Sequence, residues 1–161
     1  MRYIILLSLL LANHLQSAPA ARPKLVVNVA IDQFRYDYLT RFRSDYTAGP
    51  KRLLENGAVF TNAHYEHFPT VTAIGHSTML SGATPSVSGI VGNEWYDRET
   101  GKQVTSVSDD ATKLLGAGAE GRRGSSPRKL LVSTIGDELK MGNGQSKVVG
   151  ISSKDRSAIL P

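Results

Sequence analysis

The sequence predicts an α/β fold, a central and mostly parallel β-sheet flanked by helices, with this chain carrying an N-terminal portion of it. Three observations point there. Leu25 to Ile31 (LVVNVAI) is a nearly continuous apolar run rich in β-branched residues and ending at Asp32, the pattern of a central strand covered on both faces. Strand and helix patterns then alternate, which is the order of parallel α/β units. A clear amphipathic stretch, Ser126 to Lys140, precedes a further buried-strand run, Lys147 to Ile151 (KVVGI).

The elements follow in order. Phe34 to Phe42 and Lys51 to Glu55 have helical patterns, the second opened by Pro50 in its first turn and closed by Asn56-Gly57. Ala58 to Tyr65 (AVFTNAHY) reads as a second strand. Ala73 to Leu80 reads as a short helix beginning just after Thr72, with Gly82 near its end. Gly89 to Asn93 is a tight glycine-flanked segment, and Glu94 to Val107, with the turn sequence RETGK, predicts a hairpin. Ser108 to Ser126 is rich in Gly, Ser, Arg and Asp and reads as a surface loop or lid. Leu130, Leu131, Thr134, Ile135 and Leu139 form the apolar side of the helix expected over 126–140, with Gly142 past its end. The chain stops at Pro161 after a charged strand-end loop. About three parallel strands would leave an edge open, so residues 21–161 are expected to be the N-terminal part of a larger, truncated domain.

Residues 1–20 stand apart. Arg2 is followed by the apolar run Tyr3 to Ala12 and then by Ala18-Pro19-Ala20, the layout of a secretory signal. The run is shorter than the roughly twenty residues a membrane span needs, so export without a stable span is expected, to the periplasm or the extracellular space. The mature chain has no cysteine, so disulfides contribute nothing to its stability. The 19 Lys and Arg residues, less Arg2, stand against 14 Asp and Glu. They are dispersed rather than clustered, which argues against nucleic-acid binding.

Five polar residues fall at predicted strand ends or helix starts: Asp32, Thr72, Asn93, Lys154 and Arg156. Open α/β sheets place their sites at that edge. A threonine hydroxyl is a weak nucleophile near neutral pH and needs a base or a metal ion beside it. Asp32 is placed to hold such a metal. A helix start at Thr72 favours an anion there, phosphate included. Asn93 can donate to a phosphoryl oxygen. Lys154 and Arg156, two apart on an expected extended segment, would face the same side and match a doubly charged terminal phosphate.

VAIDQFRYDYL, FTNAHYEHFPTVTAIGHSTMLSGATPSVSGIVGNEWYD and ISSKDR together resemble the alkaline phosphatase superfamily. The similarity is to the branch of type I phosphodiesterases, nucleotide pyrophosphatases and threonine-dependent alkaline phosphatases, and it runs from about Leu25 onward. It implies an alkaline-phosphatase-like fold and two Zn2+ ions, with Asp32 and Thr72 as metal ligands and most other ligands beyond residue 161. The nucleophile of that family precedes the histidine of a GH or NH pair by four residues, so the resemblance selects Thr72 through His76 rather than Thr70. It also assigns substrate binding to Asn93 and to Lys154 with Arg156, the pair that marks the monoesterase branch.

The implied activity is zinc-dependent hydrolysis of small-molecule phosphate monoesters through a phosphothreonine intermediate, in the full-length protein. A phosphodiesterase or nucleotide pyrophosphatase using the same threonine is the alternative, and an exported binding module without turnover is a reading of another class. His64, His67 and His76 match no ligand position of the family, and Trp95 and Tyr96 read as hairpin packing. A sulfatase is disfavoured, because that branch uses a cysteine- or serine-derived formylglycine and no matching motif is present.

Overall fold

The computed structural model describes residues 23–161; the expected secretory signal lies outside the described residues. The chain divides after Ala30 into two compact units. The described residues of the first, 23–30, contain neither helix nor strand and are exposed.

The second unit begins with two helices joined by a 3-10 turn: α1 (Tyr38–Arg41), the turn (Arg43–Asp45) and α2 (Ala48–Asn56). Gly57 closes α2 by donating its N–H to the Leu53 carbonyl at 2.9 Å. The helix expected over 34–42 is reduced to four residues, and it follows Gln33, whose φ of 61° breaks regular backbone before it.

Helix α3 (Thr72–Ser81) is the centre of the unit. It ends at Gly82, whose φ of 69° is left-handed and whose N–H reaches the Thr78 carbonyl at 2.8 Å, a position that favours a residue without Cβ. Its buried residues Ala73 and Ile74 join Ile90, Val107 and Leu160 in the core, with Trp95, Leu130 and Ile159 packed against them. The short α4 (Pro85–Ser88) follows. A hairpin of β1 (Glu94–Asp97) and β2 (Lys102–Thr105) then pairs antiparallel, Trp95 opposite Val104. The Asp97 carboxylate accepts the N–H groups of Glu99 and Thr100 in its turn. Trp95 packs on the core as its sequence suggested, while Tyr96 is exposed.

The loop from Ser108 to Ser126 is closed at its neck by an isolated bridge between Ser108 and Ser125 and by the Asp110–Arg123 ion pair. Helix α5 (Ile135–Gly142) and helix α6 (Asp155–Ile159) both pack on α3.

Two expectations need correction. The amphipathic helix starts nine residues later than Ser126, because the Leu131 N–H is committed to the Ser88 carbonyl at 2.9 Å instead of a helical partner. Thr134 then starts the helix, its N–H bound by the Asp137 carboxylate at 2.8 Å in a capping box.

The second correction concerns the segments 25–31, 58–65 and 147–151, which are not strands; the hairpin is the one sheet among the described residues. Apolar β-branched residues fit a strand only where a neighbouring strand supplies hydrogen bonds and a packed face. Here Val29 and Ile151 are instead 75% and 91% exposed. No helix among the described residues is long and apolar enough to cross a membrane.

Candidate active site

The site forms around the start of α3. No proline interrupts the stretch from Thr72, and although its hydroxyl residues and Gly75 have modest helix propensity, the buried run Ala73 to Ser77 anchors it to the core as a helix. That anchoring fixes Thr72 at the first helical position. The residue before it is Val71, which provides no side-chain cap; other groups must satisfy the helix start.

Asn93 supplies one of them. Its Oδ1 accepts the Ala73 N–H at 2.9 Å, and this fixes which way the amide faces: oxygen toward the helix, with the Nδ2 hydrogens left to donate elsewhere. The glycine-flanked segment before Asn93, with Gly89 at a φ of 76°, brings it to this point.

Thr72 Oγ1 donates to Asp32 Oδ2 at 3.1 Å, and Lys154 Nζ donates to the same oxygen at 2.7 Å. Two side chains, 40 and 122 positions from Asp32 in sequence, therefore converge on one of its carboxylate oxygens. The Lys154 hydrogen bond foremost, and that of Thr72, hold the Asp32 carboxyl below the ordinary carboxylate range against the opposing push of desolvation. The arrangement keeps Asp32 ionised, an anionic acceptor for the hydrogen bonds of Thr72 and Lys154.

Four of the five residues singled out from the sequence, Asp32, Thr72, Asn93 and Lys154, thus lie at the start of α3. Arg156 does not make hydrogen-bonded contact with them. Its Nε is 3.6 Å from Asp155 Oδ1, an ionic contact too long for a hydrogen bond, and it has no hydrogen-bond partner. The expectation of one extended segment is corrected here. Lys154 is the N-cap of α6 and Arg156 lies inside that helix, so the two-residue period of extended chain does not put them on one face.

His64 and His67 are engaged elsewhere. His64 Nε2 pairs with Asn62 Oδ1, and His67 Nε2 with Thr78 Oγ1. His76, which matches no ligand position of the family, has its Nδ1 2.8 Å from the Thr72 carbonyl oxygen. The signal that marks it is its position four residues after Thr72, one helical turn away.

Asp32 and Thr72 offer two oxygen donors side by side. Zinc takes about four ligands, and among the described residues no group of three His, Asp or Glu side chains is placed to hold a metal ion. By donor count these residues alone do not fit a zinc site.

The family description "Type I phosphodiesterase / nucleotide pyrophosphatase" matches residues 26–142. The chain belongs to this family. Among its relatives, alkaline phosphatase PafA of Elizabethkingia meningoseptica is 47% identical over 142 residues, covering 87% of the chain and 26% of that protein. Alkaline phosphatase PhoV of Synechococcus elongatus is also 47% identical, over 144 residues covering 88% of the chain and 26% of that protein. A crystal structure of alkaline phosphatase PafA, in a variant substituted at one threonine, one asparagine, one lysine and one arginine, superposes with a TM-score of 0.84 at 42% identity. It covers 89% of the chain and 28% of the solved one. The phosphodiesterase-family chain therefore has the alkaline-phosphatase-like fold over the part that superposes, and spans about a quarter of the curated relatives it matches.

Proposed function

We propose that this chain is the N-terminal part of an exported, zinc-dependent enzyme that hydrolyses small-molecule phosphate monoesters through a phosphothreonine intermediate on Thr72. The observation that carries the proposal is the hydrogen bond from Thr72 Oγ1 to Asp32 Oδ2 at the first position of a helix. The alkaline phosphatase relatives support it. So does the solved PafA variant, whose substituted threonine and asparagine are twenty-one positions apart and whose lysine and arginine are two apart. Thr72 with Asn93, and Lys154 with Arg156, repeat those residue types and spacings.

In this reading the ester phosphate sits at the start of α3, where the helix dipole favours an anion. Thr72 Oγ1, oriented by its hydrogen bond to the Asp32 carboxylate, attacks phosphorus and its proton passes to solvent. A new O–P bond forms, the ester P–O bond breaks, and the alcohol departs with a proton. Water then attacks the phosphothreonine, the Oγ1–P bond breaks, and phosphate leaves as Thr72 regains its hydroxyl. Asn93, its Oδ1 held by Ala73, donates from Nδ2 to a phosphoryl oxygen. Lys154 opposes the charge of the dianion, and Arg156 completes the cationic pair once turned from Asp155. Zinc enters as the cofactor of the whole protein, with Asp32 and Thr72 as this segment's share of its donors. The expected parallel sheet belongs to the whole protein in the same way.

A second reading, a phosphodiesterase or nucleotide pyrophosphatase, is favoured by the position of Arg156. With its Nε 3.6 Å from Asp155, Arg156 stands outside the hydrogen-bonded group and Lys154 is the one cation within it, which suits a diester monoanion better than a monoester dianion. Phosphate release from a monoester and cleavage of a diester by the full-length protein separate the two. Monoester turnover at least about tenfold the faster, abolished by Thr72→Ala, supports the first reading; diester preference supports the second. Absence of both activities points to a binding module.

A further inference from the structure

Thr72 is gripped at three points, and one of the gripping residues has no role in the proposed chemistry. Its hydroxyl is bound to Asp32, and the N–H that follows it is bound to Asn93. Its carbonyl oxygen is 2.8 Å from His76 Nδ1. A carbonyl oxygen accepts and never donates, so the bond requires the proton on Nδ1. His76 is 6% exposed within the buried run of α3, where water does not compete for that bond.

We propose that His76 is a positioning residue for Thr72: its Nδ1–H clamps the Thr72 carbonyl and thereby sets the direction of the Thr72 hydroxyl. The inference rests on the reading of Thr72 as nucleophile. Two observations beyond the distance support it. Thr72 is the first residue of a helix whose N-cap, Val71, offers no side-chain hydrogen bond, so the first-turn N–H groups depend on an outside acceptor, Asn93 Oδ1. The contacts present divide the work. Asn93 ties down the backbone after Thr72, and His76 ties its carbonyl to a ring fixed one turn deeper in the core.

A nucleophile's rate is sensitive to misplacement well below 1 Å, whereas ground-state binding of phosphate is much less so. Loss of the clamp should therefore lower kcat by about tenfold and leave phosphate affinity nearly unchanged. The side-chain amide nitrogen of asparagine reaches about where Nδ1 lies, whereas that of glutamine reaches toward Nε2. Asparagine should rescue and glutamine should not.

The test uses the full-length protein with His76→Asn, His76→Gln and His76→Phe, measured for kcat on a phosphate monoester and for binding of inorganic phosphate. The expected result is His76→Asn within about threefold of the natural protein, with His76→Gln and His76→Phe slower by about tenfold and all three binding phosphate within about twofold. Equal kcat losses in all three variants, a loss that appears in phosphate affinity instead, or no loss in His76→Gln would overturn the proposal. The 15N spectrum of the unaltered protein gives a second readout that needs no variant to fold. A protonated Nδ1 at His76 is expected, and a tautomer protonated on Nε2 alone overturns the assignment. Turnover retained by Thr72→Ala removes the nucleophile reading and this proposal together. An inactive Thr72→Ala beside a fully active His76→Gln removes this proposal only.

Discussion

Asn93 joins a structural task and a proposed chemical one in a single amide, and two substitutions pull them apart. Its Oδ1 receives the Ala73 N–H at 2.9 Å, which acts as a helix cap supplied from outside the helix; its Nδ2 is the proposed phosphate donor. Asn93→Ala deletes both groups. Loss of a helix-start acceptor costs about 1 kcal/mol, and loss of a hydrogen bond to a charged group about 1.5–3 kcal/mol, or roughly tenfold to a hundredfold in kcat/KM.

Asn93→Asp keeps an oxygen for Ala73 and adds a negative charge at the helix start, worth about 0.3–1 kcal/mol in favour of the fold. It also replaces the donor with a group that repels phosphate. Stability should therefore stay equal or rise in Asn93→Asp while kcat/KM falls further than in Asn93→Ala. Urea unfolding read beside monoester kinetics measures both. An aspartate variant as destabilised as the alanine variant would refute the capping geometry, and one retaining kcat/KM within about threefold of the natural protein would refute the donor role.

Four further outcomes are expected. Lys154→Ala combined with Arg156→Ala should reduce monoester hydrolysis by about tenfold or more beyond its effect on a diester, and equal losses on both substrates would count against the cationic pair. Because the Asp32 carboxyl is held below its ordinary value, its pairing with Lys154 contributes stability above the unfolded carboxylate value, about 3.9, and loses it as pH falls through the lower folded value. The stability gap between the metal-free natural protein and Asp32→Asn should accordingly shrink in urea titrations taken from pH 6 down to about pH 3. Gly82→Ala, at a φ of 69° with open space around it, should cost about 1 kcal/mol and leave activity intact. Gly89→Ala should lower the thermal unfolding midpoint more than Gly82→Ala does, because its Cβ would lie 2.9 Å from the Leu131 side chain as well as in a left-handed backbone.

What could be read from the sequence was what local chemistry decides. The stop of α3 at Gly82, the cap of α2 at Gly57 and the turn at RETGK each depend on a few consecutive residues, and each is where the residues put it. The 25–31, 58–65 and 147–151 segments were expected as strands because of their apolar β-branched content. A strand is completed only by a partner distant in sequence, and composition does not say where that partner is.

The helix expected from Ser126 lost its first half to a tertiary bond, Leu131 to Ser88, which no periodicity reveals. At the site, the placing of Asp32, Thr72, Asn93 and Lys154 at element ends anticipated their meeting. The conformation around Lys154 did not follow, although Asp155 just after it is a usual first-turn residue and marks a helix start that would have separated Arg156 from Lys154. His76 was visible as a partner of Thr72 only through its spacing, and its role depended on a ring rotamer.

The most direct measurement is acid quenching of the zinc-loaded full-length protein during turnover of a 32P-labelled monoester, followed by peptide mapping. The account predicts label on Thr72, within the peptide spanning the start of α3, and none in the Thr72→Ala variant. Label on another side chain, or steady turnover with no labelled protein at any quench time, would contradict it.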